Sequence, residues 1–373
     1  AAAPVVLNVI FILAVLIGAA MGRPLSDALG LGLDQALGLR VGDTLALSVP
    51  LAGAAQLALV WWAARRAGFT LKLNKRPRLT PDLKRLAIIA APAALAGGVV
   101  QINLLVGRQV ASFYDGAVAW LSYADRLYQL PLGVVGIAIG VVLLPDLSRR
   151  LKAGDTAGSQ STLSRAAEVS LALTIPSSVA LVVIPMTLAS VLFERGATTV
   201  DDTAAIATAV MIYGLGLPAF VLQKILQPLY FAREDTRRPF HFAVAAMVIN
   251  AGLAIGLAPV VGWLSPAIAA TAAGWAMFAM LAVGARRYGD AAKFDARFRK
   301  RIWRIIAASL IMGAALWFFD LQLGAMLALS GWRGLGLLIL IIIGAVAYFG
   351  SGQLIGAFRL SEFRSALRRS PKS

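Results

Sequence analysis

Ten apolar stretches constrain this chain before any single motif does. Crossing about 30 Å of hydrocarbon takes roughly 20 apolar residues at 1.5 Å each. Stretches of that kind lie near 4–21, 44–64, 86–107, 118–144, 163–192, 203–228, 239–261, 265–285, 302–320 and 334–357. The chain is 59% hydrophobic and only 14% charged, whereas soluble domains average about 25% charged residues. The expected fold class is therefore an all-α polytopic membrane protein of about ten transmembrane helices. Pro131, Pro176, Pro185 and Pro218 fall inside these stretches. Each removes a backbone hydrogen bond that neighbours, water or a cavity must replace.

The charges sort by connection. Those at 65–85, 145–165, 224–238, 286–304 and 358–373 hold 8, 4, 4, 8 and 5 of the 35 lysines and arginines. The alternate connections hold 2, 1, 1, 0 and 1, and the remaining one is Arg126. The positive-inside rule places the basic set, and with it both ends of this chain, in the cytoplasm. An even number of spans gives the same answer. The net charge of +17 is thereby explained by topology and by anionic lipid headgroups, and no nucleic-acid partner is expected. The chain opens AAAPVVLNV without a methionine and reads as beginning partway through something longer. Its last residues, 358–373, suit a basic cytoplasmic tail, with a short interfacial helix expected there.

Catalytic chemistry lacks residues. There is no cysteine, one histidine (His241), no P-loop and no HExxH zinc motif. No enzyme activity and no cofactor are expected.

The fourth stretch is different. SYADRLYQLP, residues 122–131, puts Asp125, Arg126 and Gln129 inside apolar sequence. A charge at mid-bilayer costs about 2.5–3.5 kcal/mol on insertion scales, so such a group faces protein or water and marks a functional site. Tyr123, Arg126 and Gln129 share a helical face, and Asp125 and Gln129 form an i, i+4 pair. Asp125 and Arg126 point about 100° apart and each seeks its own partner. One reading is an Asp and an Arg joining helices. The other is an arginine receiving an anion, since guanidinium is always charged and its fork of donors matches phosphate oxygens. Further polar groups are Gln101 and Asn103, Gln223 and Lys224, and Asn250. Interhelical hydrogen bonds account for the amides, and snorkelling to the cytoplasmic face accounts for Lys224.

VVQINLLVGRQVASF, ASFYDGAVAWLSYADRLYQLP, the run ending LLPDLSRRL, and LQPLYFAREDTRRPF together resemble the MurJ/MviN family of lipid II flippases, within the MOP superfamily. The resemblance implies a MATE-like architecture of two six-helix lobes and two extra C-terminal helices. Ten spans then correspond to helices five to fourteen: 1–64 ends an incomplete N-terminal lobe, 86–285 is the C-terminal lobe, and 302–357 is the extra pair beside a lipid-tail groove. It further implies transport of lipid II, an undecaprenyl-pyrophosphate-linked peptidoglycan precursor, across a bacterial inner membrane by alternating access around a cationic cavity. Membrane lipids are the other expected partners, with the protein a monomer.

The expected substrate-binding set is Arg126, Asp125, Gln129, Tyr123, Asn103 and Lys224. Gln129 stands where the family often has a glutamate. Some members carry acidic sodium ligands on the helices matching 86–107 and 239–261. Here Asn250 is the candidate metal ligand, with Gly107 near the position of an acid. Sodium coupling stays open, and the membrane potential is an available drive. Two alternatives also stay open: another exporter of the same superfamily, moving polysaccharide units or drugs, and a non-transporting membrane scaffold if the chain is naturally complete.

Overall fold

The computed structural model describes residues 3–21, 43–68, 98, 101–138, 143–329 and 331–357, and among these every regular element is helical. Two compact units divide the chain, residues 1–86 and 87–373. In the first, α1 (Ala3–Met21) packs on α2 (Asp43–Arg66). The arginines that end α2 lie over its own tryptophans, Arg65 on Trp61 and Arg66 on Trp62, at 5.4 and 4.9 Å. Such pairs suit a helix end at a membrane surface, where an aromatic and a cation both favour the interface.

The second unit begins with α3 (101–111) and continues through α4 (Ala117–Ala138), α5 (Leu144–Lys152), α6 (Thr156–Val183), α7 (Pro185–Phe193) and α8 (Val200–Phe231). It ends with α9 (Arg237–Val261), α10 (Ser265–Ala285), α11 (Ala296–Ala328) and α12 (Arg333–Ile355). Helix α8 is the hub, with α4, α6, α7 and α10 against it. Apolar surfaces gain nothing by leaving lipid for one another, so helices in a bilayer associate through close small-residue packing and interhelical hydrogen bonds. Both devices occur along α8. Ser178 donates to the Gly214 carbonyl at 2.6 Å, and Thr271 to that of Ile212 at 2.9 Å. Gln223 reaches the Gly274 carbonyl at 2.7 Å and Tyr230 that of Leu281 at 2.6 Å. The interhelical role expected of Gln223 is thus observed.

Helices α11 and α12 pack together, and α11 lies along α6. The Tyr348 hydroxyl of α12 also reaches α6, at the Ala172 carbonyl 2.5 Å away, and Thr187 of α7 bonds Asp320 of α11 at 2.6 Å. Basic residues of the 286–304 stretch fold back on α6: Glu168, only 8% exposed, pairs with Arg301 and with Arg297 at 3.6 Å, and also with Arg165 of its own helix at 2.5 Å. Outward surfaces are apolar instead, with Val260 79% and Leu354 90% exposed. A surface of that kind is covered by lipid.

Six helical stretches among the described residues are long and apolar enough to cross a bilayer, one of them, 237–292, containing both α9 and α10. Two boundaries differ from expectation. The stretch 163–192 is two helices, because Ile184 has φ −122° and ψ 43° ahead of Pro185, which starts α7. A residue before proline is pushed out of the α region, and proline is at home in a first turn. The connection 145–165 contains α5 and the start of α6. The stretch 118–144 is helical from Ala117 to Ala138, and 139–142 lie outside the described residues. So do most of 86–107 and the whole of the expected tail helix, 358–373.

Two outcomes test this packing. A Cβ on Gly214 would stand 2.9 Å from the Leu181 Cβ, whereas one on Gly252 would meet nothing within 4 Å. Thermal unfolding in detergent should show Gly214→Val destabilised by about 1–3 kcal/mol and Gly252→Ala unchanged or slightly stabilised; equal stability of the two variants would contradict the α6–α8 contact. The second concerns α5. Hydrogen bonds from Arg150 and then Thr162, at 2.9 and 2.8 Å, hold the Asp146 carboxyl below its ordinary range. A depressed carboxyl contributes stability that is complete above the unfolded value of about 3.9 and disappears as pH falls through the folded one. Asp146→Asn should therefore melt earlier than wild type at neutral pH, with the gap closing below about pH 4.

Candidate functional site

Helices α3 and α4 form an antiparallel pair joined by the turn at 112–116, where Gly116 has φ +79°. A Cβ there would come within 2.6 Å of the Trp120 ring, so the turn and the first turn of α4 require glycine. Trp120 in turn donates its indole N–H to Asp202 at 2.7 Å. Asp202 also caps α8 through Thr199, and one carboxylate thereby fixes the starts of two helices.

Along α4 the residues Ala117, Leu121, Ala124 and Leu127 are buried, Ala124 completely. Their spacing is that of one helical face. The hydroxylated rings continue this contact, Tyr128 lying 5.1 Å from Tyr213 and 5.5 Å from Phe220. The opposite face, Ser122, Asp125, Arg126 and Gln129, is left to line a cavity of about 410 Å³, within the range of ligand sites. The other walls are Asn103, Leu104, Gly107, Arg108 and Ala111 from α3, Tyr213 from α8, Asn250 from α9, and Pro266 and Ala270 from α10.

Four of the six expected residues meet in this cavity: Arg126, Asp125, Gln129 and Asn103. Gln129 donates its side-chain N–H to Asp125 one turn away, the i, i+4 contact expected from their spacing. Arg126 makes no hydrogen bond or ion pair among the described residues, although Asp125 lies within its electrostatic reach. Asn250 donates to Asn103 at 2.6 Å, while its own buried Oδ1 has no partner among the described residues.

Tyr123 and Lys224 do not line the cavity. Tyr123 turns to Phe193, with ring centroids 4.8 Å apart. From Tyr213, which does line it, to Lys224 is about 16 Å of helix. Among the lining residues not singled out from the sequence are Arg108 and Tyr213. Arg108 follows the last turn of an apolar stretch and reads there as an ordinary flanking cation. Its register with Leu104, Gly107 and Ala111, at i, i+3 or i+4 and i+7, is the signal that would have placed it on the same face as Asn103 and Arg126.

The donor set does not suit a bound sodium ion. Sodium wants several oxygens and net negative charge, whereas two guanidiniums share this cavity with one carboxylate, and Asn103 Oδ1 is taken by Asn250. No grouping of three His, Cys, Asp or Glu side chains able to hold a metal occurs among the described residues. What the arrangement can do is receive an anion. Two charged forks, an amide pair and a serine hydroxyl line this space in an otherwise apolar bundle, and neither fork is committed among the described residues.

A family model described as "Lipid II flippase MurJ" matches residues 1–331. A probable lipid II flippase MurJ of Rhizobium tropici is 42% identical over 330 residues, which cover 87% of this chain and 61% of that protein. One of Rhizobium meliloti is 42% identical over 338 residues, covering 88% and 62%. One of Vibrio cholerae is 32% identical over 331 residues, covering 86% and 61%. The chain spans about three-fifths of the length of these curated relatives. A solved "Lipid II flippase MurJ, inward closed conformation" superposes with a TM-score of 0.69 at 23% identity, over 96% of this chain and 67% of that one. That likeness extends the shared fold over nearly all the helices described above. With its match running from residue 1 to residue 331, the chain belongs to the MurJ lipid II flippase family.

Proposed function

We propose that this chain is the larger part of a flippase that carries lipid II, the lipid-linked peptidoglycan precursor for which its relatives are named, from the cytoplasmic to the outer leaflet of the bacterial inner membrane. The single observation that supports this most is Arg126, a guanidinium with no hydrogen bond or ion pair among the described residues, lining a cavity of about 410 Å³ in an apolar bundle. A diphosphate cannot enter hydrocarbon bare, because desolvating an ionised group is prohibitive. A cavity holding water and a fixed cation offsets that cost.

In this reading Arg126 is the principal ligand of the diphosphate. Asp125, held by Gln129, sets the orientation of the polar face, and Asn103 with Asn250 offers amide groups to the rest of the headgroup. Tyr123 and Lys224 are left out of the site. Residues 1–64 end an N-terminal lobe, 86–285 form the C-terminal lobe, and 302–357 flank the lipid tail, which stays in the membrane. The two lobes alternate access with both ends of this chain cytoplasmic, as the basic connections require. This reading assigns no coupling ion. The membrane potential acts on each transferred charge with about 2.3 kcal/mol per 100 mV. A drug exporter for organic cations is disfavoured by the two arginines, since like charges would repel the cargo.

The test uses the intact gene product in vesicles carrying a fluorescent lipid-linked precursor. Removing one member of a hydrogen-bonded charge pair costs about 2–5 kcal/mol, so Arg126→Ala should lower transport by roughly 30-fold or more. Arg126→Lys should recover part of the loss, since it restores the charge without the fork. Wild-type transport by Arg126→Ala would refute the assignment.

A further inference from the structure

The cavity contains a second arginine that the flippase reading does not need. Arg108 stands on α3, one turn before that helix ends at 111, and lines the same space as Arg126. It too makes no hydrogen bond or ion pair among the described residues, and both arginines lie within the electrostatic reach of Asp125. Asp125 is already engaged by Gln129 on its own helix. Two forks therefore face one carboxylate whose acceptor capacity is partly spent.

Their depths differ. Helices α3 and α4 meet at the turn 112–116, on the side opposite the basic connections. Arg108 is three residues from the end of α3 and Arg126 nine residues into α4, which at 1.5 Å per residue offsets them by about 9 Å along the helix axes. A diphosphate moving outward from Arg126 meets Arg108 before it reaches the outer surface. One deep cation would hold the headgroup and also trap it, whereas conduction of a charge needs sites that bind well enough to enter and weakly enough to leave. Two arginines about one and a half helical turns apart let the second form its bonds while the first releases.

Resting on the flippase reading, we propose that Arg108 is a second, outward station for the substrate's diphosphate, taking it over from Arg126 as the cavity opens to the outside. Arg126 governs capture and Arg108 governs passage and release. The two roles separate in measurement because either residue can be lost while the other still binds.

The experiment compares Arg108→Ala, Arg108→Lys and Arg126→Ala in the intact gene product, each first shown to melt within the wild-type range. Inorganic pyrophosphate affinity is read in detergent, and transport of a fluorescent lipid-linked precursor is read in vesicles. Arg108→Ala should bind pyrophosphate within about threefold of wild type yet transport roughly tenfold more slowly, the loss of one hydrogen bond to a charged group. Arg108→Lys should lie between. Wild-type transport by Arg108→Ala overturns the second station, with Arg126→Ala inactive in the same assay showing that the flippase reading survives. A loss of pyrophosphate affinity by Arg108→Ala as large as that of Arg126→Ala also overturns it, since the two would then form a single joint site. Absence of transport by the wild-type protein sinks the flippase reading and this proposal with it.

Discussion

An ionised side chain inside hydrocarbon has to be met by water or by opposite charge, and the cost of failing that requirement exceeds most single packing contributions. α4 carries Asp125 and Arg126 in consecutive positions, so its rotational phase is set by where those charges end up. Rotating it by one residue would exchange Arg126 with Leu127, which is 7% exposed and packed on the core. The observed phase is held at two levels, by the Trp120 to Asp202 bond at 2.7 Å and by Tyr128 between Tyr213 and Phe220. The same rotation that buries Ala124 delivers Arg126 to the cavity.

A cavity in a membrane protein persists only if its walls do not collapse, and the hub helix α8 supplies the stiffness. Two of its neighbours are fixed by side-chain bonds to backbone carbonyls, α6 at Gly214 and α10 at Ile212, Gly274 and Leu281. Small residues let the backbones approach to distances at which these bonds form. Gly274 shows the mechanism directly, because a Cβ there would lie 2.5 Å from the Phe220 ring that packs on Tyr128. The site and the scaffold thus share residues, and the shape of the polar face is inherited from apolar packing around it.

The all-helical membrane class, the polar face on α4 and the pairing of Asp125 with Gln129 were legible because each follows from a local period or a local cost. Hydropathy over about 20 residues finds helices whose neighbours are unknown, and a charge in such a run is conspicuous wherever it points. Other features depend on tertiary partners. The break at Ile184 was signalled by Pro185, yet prolines at 131, 176 and 218 lie inside continuous helices, so proline alone does not say which outcome follows. Lys224 and Arg108 both read as cations near helix ends. Only the assembled bundle sends one away from the cavity and the other into it. Asn250 was recognisable as polar and buried, while its bond to Asn103 needed the long-range approach of α9 to α3.

The amide at position 129 bears on why the guanidinium is available at all. A glutamate there would stand at i, i+3 from Arg126, close enough for an ion pair, and next to Asp125 it would add a second negative charge. The arginine would then be drawn onto its own helix and the cavity would lose its excess of positive charge. Gln129 instead donates to Asp125 and occupies that carboxylate without carrying a charge of its own. The carboxylate is turned inward along α4, the forks of Arg126 and Arg108 stay uncommitted among the described residues, and the cavity keeps an attraction for anions that its apolar walls make stronger.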